Sequence, residues 1–135
     1  MTARSKARKR ALDILFASEM RGEDPVQALE TAVAAGEGPT NPYTEVLVRG
    51  VHALRARIDE VLADYAHGWT LDRMPAVDRN VLRIGAYELL WSEDVPAEVA
   101  VSEALGLVSD LSTDDSPAFV NGVLGAVQRD RAHLV

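Results

Sequence analysis

Between Ala76 and Trp91 the sequence reads AVDRNVLRIGAYELLW, with Val77, Val81, Leu82, Ile84, Leu89 and Leu90 spread over nearly every side of a helix. A helix that is apolar all round has no face to give to water, so it belongs at the centre of a group of other elements. The rest of the chain says what those elements are. Aliphatic residues recur at a spacing near 3.6 with little period-two alternation, so the chain reads as helical throughout and the fold class as all-α, with about seven helices.

Local punctuation divides the chain. A first helix is expected over 3–21, stopping at Gly22, with Ala7, Ala11, Ile14 and Leu15 as one narrow core stripe that weakens at Ser18. Asp24-Pro25 is a cap followed by a proline at the first helical position, with Gln27 placed as in a capping box, and this second helix should end at Gly36. GEGPTNPY then reads as a loop, and Asn41-Pro42 repeats the cap-plus-proline signal. From Leu47 to Tyr65 helical spacing runs on towards Gly68, either as one long helix or as two short ones broken near Arg55–Arg57. GWTLDRMP is the candidate hinge between an N-terminal lobe over about 1–68 and a C-terminal lobe over about 69–135. After the central stretch, Val95-Pro96 opens a helix to about Leu111, STDDSP makes a turn, and Ser116-Pro117 caps a last helix to about Ala132. Asp114 and Asp115 are expected to help cap it, and Gly122 and Gly125 to permit close helix packing.

At 135 residues the chain is one domain, or two small lobes sharing a core. A chain of this size buries roughly 68% of its unfolded surface, enough to fold without staples. It has no cysteine, which removes disulfides, thiolate zinc sites and cysteine nucleophiles and fits a reducing cytoplasm. The basic start is not followed by the roughly 7 to 15 apolar residues of a secretory signal. No apolar run approaches the ~18 residues that span a bilayer, so no membrane partner is expected.

Charge is segregated. The chain has 14 Lys+Arg against 21 Asp+Glu, formally −7. Arg4, Lys6, Arg8, Lys9 and Arg10 all fall in the first ten positions with no acid among them, leaving nine cations against 21 anions elsewhere, or −12. A ten-residue helical arm is about 15 Å long. With a Debye length near 8 Å, its cations act partly as one field, and a phosphate backbone is their natural counterpart. A solvated, frayed terminus is the plain alternative.

On a helical wheel Ser5, Lys9, Leu12 and Phe16 align away from the core stripe, giving an apolar pair beside a lysine. Such a pair suits a protein contact or base stacking, or packs inside the molecule. Unpaired RNA needs cations for its backbone and aromatic rings for its bases. Of the seven aromatics, Phe119 opens the last helix, off the Val120–Val123–Leu124–Val127 stripe. Free N–H groups at a helix start favour anions, while Asp114 and Asp115 would repel phosphate.

Catalysis finds little support. His52, His67 and His133 are scattered, no phosphate-binding glycine pattern is present, and no serine has a nucleophile-elbow context. Neither enzyme activity nor a metal or cofactor is expected.

Three stretches together resemble one family. ARKRALDILFASE is similar to the N-terminus of the NusB family of bacterial transcription antitermination factors. PAVDRNVLRIGAYELLWSEDVP resembles that family's central helix, and VAVSEALGLVSDLSTDDSPAFVNGVLGAV resembles its signature ending S-x-x-F-V-N-G-[VI]-L. The resemblance runs end to end, in order and at the usual spacing. It implies two small helical bundles packed together. It also implies binding of the boxA element of nascent RNA with NusE, a small ribosomal subunit protein, within an RNA polymerase antitermination complex acting on ribosomal RNA operons.

By position, the resemblance assigns RNA contacts to Arg4, Lys6 and Arg8, extended by Lys9 and Arg10, and to Tyr65, Arg83, Ser116 and Phe119. It assigns NusE contacts to Phe16, Asp72 and Asp78. The chain departs from the pattern at Gly106 and Ser109, where an acid and a lysine are usual, and at Ala118, where a lysine is common. Those losses shift RNA binding towards the arm. The acidic body is then expected to limit indiscriminate nucleic-acid binding and to offer carboxylates to a basic protein. Two other readings stand beside this one. The first is the RNA-binding domain of a ribosomal RNA cytosine methyltransferase, whose catalytic domain these 135 residues do not contain. The second is an adaptor that homodimerises through Leu12 and Phe16 without touching RNA.

Overall fold

A computed structural model describes residues 2–135. The described chain is helical from end to end, with seven α-helices and no strand. They are α1 (Ala3–Arg21), α2 (Pro25–Ala34), α3 (Pro42–Ala53), α4 (Arg55–Tyr65), α5 (Ala76–Trp91), α6 (Ala97–Leu111) and α7 (Ser116–Leu134), with a 3₁₀ turn at Leu71–Arg73. They group into two compact units, Met1–Ala53 and Leu54–Val135. The division falls where α3 gives way to α4 at Leu54, and GWTLDRMP lies inside the second unit.

Most boundaries follow from local chemistry. The Thr2 hydroxyl accepts the Ser5 N–H at 3.0 Å and starts α1, so the cationic arm is helical from its first turn. Gly22 ends α1 in the left-handed region, at φ 66°, where a side chain would be strained. The Asp24 carboxylate accepts the N–H groups of Val26 and Gln27 at 2.8 and 3.2 Å, opening α2. Asn41 Oδ1 accepts the Tyr43 N–H at 2.9 Å at the start of α3.

In the first unit, α1 packs on α2 and α3. Ala7, Ala11, Leu15 and Ser18 are buried as the stripe requires, Ile14 is half-buried, and Leu12 is buried too. In the second unit, α5 packs against α4, α6 and α7. It is the apolar-all-round helix, with Val81, Leu82, Ile84, Ala86, Leu89 and Leu90 all buried.

Two expectations are corrected. Asp115 takes the cap position of α7 without a side-chain cap bond. The Ser116 hydroxyl is turned to Asp78 and accepts from Thr113, from its N–H at 3.3 Å and its hydroxyl at 2.8 Å, rather than from an N–H of α7. Nor do Gly122 and Gly125 mark close packing: a Cβ at Gly122 would meet nothing within 4 Å, and one at Gly125 only the Arg129 guanidinium. The tight glycine is Gly85, where a Cβ would lie 2.7 Å from Leu124 Cδ1.

Candidate nucleic-acid interface

In the first unit the start of α3 is fastened along the opening turns of α1. Asn41 Nδ2 donates to the Ala3 carbonyl at 3.3 Å, and Thr44 Oγ1 donates to the Ala7 carbonyl at 3.0 Å. Between them Tyr43 is buried, and its ring lies under two guanidinium groups: Arg4 Cζ is 4.2 Å from the ring centroid and Arg8 Cζ 5.6 Å. These distances are within cation–π range. They hold two of the arm's five cations, Arg4 and Arg8, against α3.

The expected arm residues separate into two kinds. Arg8 is only 3% exposed and serves the packing of α1 on α3, so it does not present its charge at the surface as the resemblance implied. Lys6 and Arg10, one turn apart, are exposed, and neither side chain has a hydrogen bond or ion pair among the described residues. Together they flank a groove whose far side is the loop Gly38, Pro39, Thr40 and Asn41. Arg4 is exposed as well. Lys9 reaches Asp13 at 3.3 Å, with both side chains nearly half open to solvent, a pair that gives way readily to a stronger anion.

Phe16 is half-buried further along α1.

The second unit scatters the other candidates. Tyr65 closes α4, and its hydroxyl donates to Asp130 Oδ2 at 2.7 Å, which raises the phenol's pKa above its ordinary value. Phe119 lies at the opposite end of α7, about 16 Å of helix rise from Asp130. Arg83 is 4% exposed and grips both oxygens of Asp59 at 2.8 and 3.1 Å. Its charge is satisfied inside the fold, a correction to its expected RNA-facing place. Asp78 and Ser116, expected at a partner and at RNA, are likewise buried. Asp78 accepts hydrogen bonds from Ser112 Oγ at 2.6 Å and Ser116 Oγ at 2.9 Å, tying α5 to the end of α6 and the start of α7. Asp72 is exposed in the 3₁₀ turn, and a hydrogen bond from the Thr70 side chain holds its carboxyl below the usual carboxylate range, helped by Arg73 and Arg79.

Phe119 does have a neighbour that residue spacing did not bring forward. Trp69 stands edge-on to it, with ring centroids 6.1 Å apart at 62°. Under the two rings lies a cavity of about 290 Å³, lined also by Met74, Pro75, Asp78, Thr113, Asp115 and Ser116. Fifty positions separate the two rings, so no periodic signal links them. Tyr43 was more legible, being an aromatic directly after the Asn41-Pro42 helix start.

Known proteins match this arrangement along its length. The profile of the NusB family fits residues 5–129. The transcription antitermination protein NusB of Nocardioides sp. is 68% identical over 134 residues, 99% of each chain. A solved structure of T. maritima NusB superposes with a TM-score of 0.86 at 33% identity, covering 98% of this chain and 94% of that one. A second neighbour is the crystal structure of antitermination factors NusB and NusE in complex with dsRNA, with a TM-score of 0.79 and 26% identity over 95% and 98% of the two chains. With sequence and backbone agreeing from the arm to the last helix, the chain belongs to the NusB family.

Proposed function

We propose that this chain is a non-enzymatic transcription antitermination factor that binds RNA through the cations of α1 and acts together with a NusE-type ribosomal protein. The finer reading is that the RNA is a boxA element of ribosomal RNA operons and that the pair works within an RNA polymerase antitermination complex. One observation carries the RNA reading: Arg4, Lys6 and Arg10 stand exposed on a helix capped from Thr2, and the side chains of the last two have no partner among the described residues. A preformed row of cations binds phosphates without first paying to order itself. The neighbour solved with NusE and RNA supports the same assignment.

In this reading Arg4, Lys6, Lys9 and Arg10 meet phosphates. Arg8 and Arg83 act as positioning residues, through Tyr43 and Asp59 respectively. Tyr65 and Phe119 offer rings to bases, Ser116 and Asp78 brace the start of α7, and Phe16 with Asp72 faces the protein partner. The test is titration of a boxA-containing RNA, with and without NusE, against Lys6→Ala/Arg10→Ala, with Arg8 kept because it is buried. Affinity should fall by tenfold or more in the double variant. Unchanged affinity would contradict the assignment.

A further inference from the structure

We propose that Asp130 is a specificity-determining residue for the RNA: it accepts a hydrogen bond from the amino group of a base stacked on the Tyr65 ring, and so favours adenine, cytosine or guanine over uracil. The inference rests on the reading that the chain binds RNA, and names how one of the bases would be chosen.

The end of α7 comes first. Beyond Val127 none of its described residues is buried, so packing does not hold the last two turns. Two hydrogen bonds from α4 do. Arg57 Nη2 donates to the Leu134 carbonyl at 3.2 Å, and the Tyr65 hydroxyl donates to Asp130 Oδ2 at 2.7 Å. The second bond sets an exposed carboxylate at the hydroxyl end of a half-exposed ring.

Chemistry fixes the roles of the pair. An ionised carboxylate only accepts hydrogen bonds. The bond to Asp130 raises the phenol's pKa, so Tyr65 keeps its proton and remains the donor. Asp130 Oδ2 is engaged, while Oδ1 has no partner among the described residues. A base laid on the ring face brings its Watson–Crick edge to that oxygen. Stacking is indifferent to which base it is, because every base has a π-face. The free oxygen is not indifferent. Adenine, cytosine and guanine each carry an amino group that can donate to it. Uracil carries none, and its lone ring N–H lies between two carbonyl oxygens that a carboxylate repels.

Charge agrees with a selecting role. Arg129 and Arg131 flank Asp130 in α7, both exposed, and neither side chain has a hydrogen bond or ion pair among the described residues. They offset Asp130 and Asp64, the second carboxylate that acts on Tyr65. Two cations against two anions leave little net charge, so the attraction of RNA stays with α1 and the seam of α4 and α7 sorts bases. Once a base is seated, the two arginines reach its flanking phosphates.

The experiment measures the affinity of the full chain for short oligoadenylate, oligocytidylate and oligouridylate by fluorescence anisotropy, beside a boxA-containing RNA. Oligoadenylate and oligocytidylate should bind about tenfold more tightly than oligouridylate. Asp130→Asn keeps an oxygen for the Tyr65 hydroxyl and puts an N–H₂ where the free oxygen stood. The preference should then fall below about twofold or turn towards uracil. Tyr65→Ala should weaken oligoadenylate and oligocytidylate by about tenfold or more and erase the preference, and Tyr65→Phe should recover the affinity. Both side chains lie outside the core, and a purely structural role would leave the ratio between the RNAs unmoved. No preference in the original chain, or a preference that survives Asp130→Asn, would overturn the proposal. If the preference is absent while Lys6→Ala/Arg10→Ala still weakens binding of the boxA RNA, the RNA reading stands and base selection alone falls. Failure of the original chain to bind any of these RNAs would defeat the functional reading, and the proposal with it.

Discussion

Lys6 and Arg8 stand two positions apart on α1 and meet opposite fates. Arg8 is buried over the Tyr43 ring, while Lys6 faces open solvent beside a groove. Arg8→Ala should therefore act on stability, costing about 1 to 2 kcal/mol through lost stacking and stem packing, with its readout in a denaturant melt. Lys6→Ala should leave the melt unchanged. Asp59 illustrates the same division in the second unit. Removing its charge in Asp59→Asn takes away the carboxylate that Arg83 grips and should cost about 3 kcal/mol, lowering the melting temperature by roughly 10 °C; a change under a tenth of that would refute the buried pair. At Asp72 the first cause of the lowered pKa is the Thr70 side chain, so Thr70→Ala should move the carboxyl midpoint up towards the ordinary range, as followed by carboxyl-carbon NMR. The sign follows: a depressed pKa contributes stability above the unfolded-state value, and loses it as pH falls through the folded one. None of these pairings was legible in the sequence. Arg83 and Asp59 lie 24 positions apart, Asp78 and Ser116 38, and periodicity carries no information on partners that distant.

At the scale of the helix, glycine separates what packing requires from what it tolerates. Gly85 of α5 faces α7, where a Cβ would meet Leu124, itself fully buried, at 2.7 Å. Gly85→Ala should destabilise by about 1 to 2 kcal/mol despite the better helix propensity of alanine. Gly122→Ala and Gly106→Ala, with nothing within 4 Å, should each stabilise by about 0.5 to 1 kcal/mol. Paired thermal and denaturant melts check both signs. The contrast marks the limit of reading helices from sequence. Ends were legible wherever a cap is local, as at Gly22, Asp24-Pro25 and Asn41-Pro42. The break at Leu54 has no proline or glycine to announce it, and the start of α7 was legible from Ser116-Pro117 while its capping was not, because Ser116 turns its hydroxyl to Asp78. A tertiary bond had displaced the local one.

Across the molecule, charge is unevenly shared. The first unit carries seven Lys+Arg and seven Asp+Glu, while the second carries seven against fourteen, so the whole of the −7 belongs to the second. An acidic second unit disfavours indiscriminate phosphate binding and suits a basic protein partner. The all-helical class and the family were legible because three long motifs keep their order and spacing. The site was legible only in its charges, since burial decides which of them reach solvent. The measurement that tests the central claim most directly is the affinity for boxA RNA across a salt series, original chain against Lys6→Ala/Arg10→Ala. With four single-strand phosphates neutralised, log K should fall against log salt with a slope of about −2.8, flattening to about −1.4 in the variant. Equal slopes for the two proteins, or an affinity indifferent to salt, would contradict it.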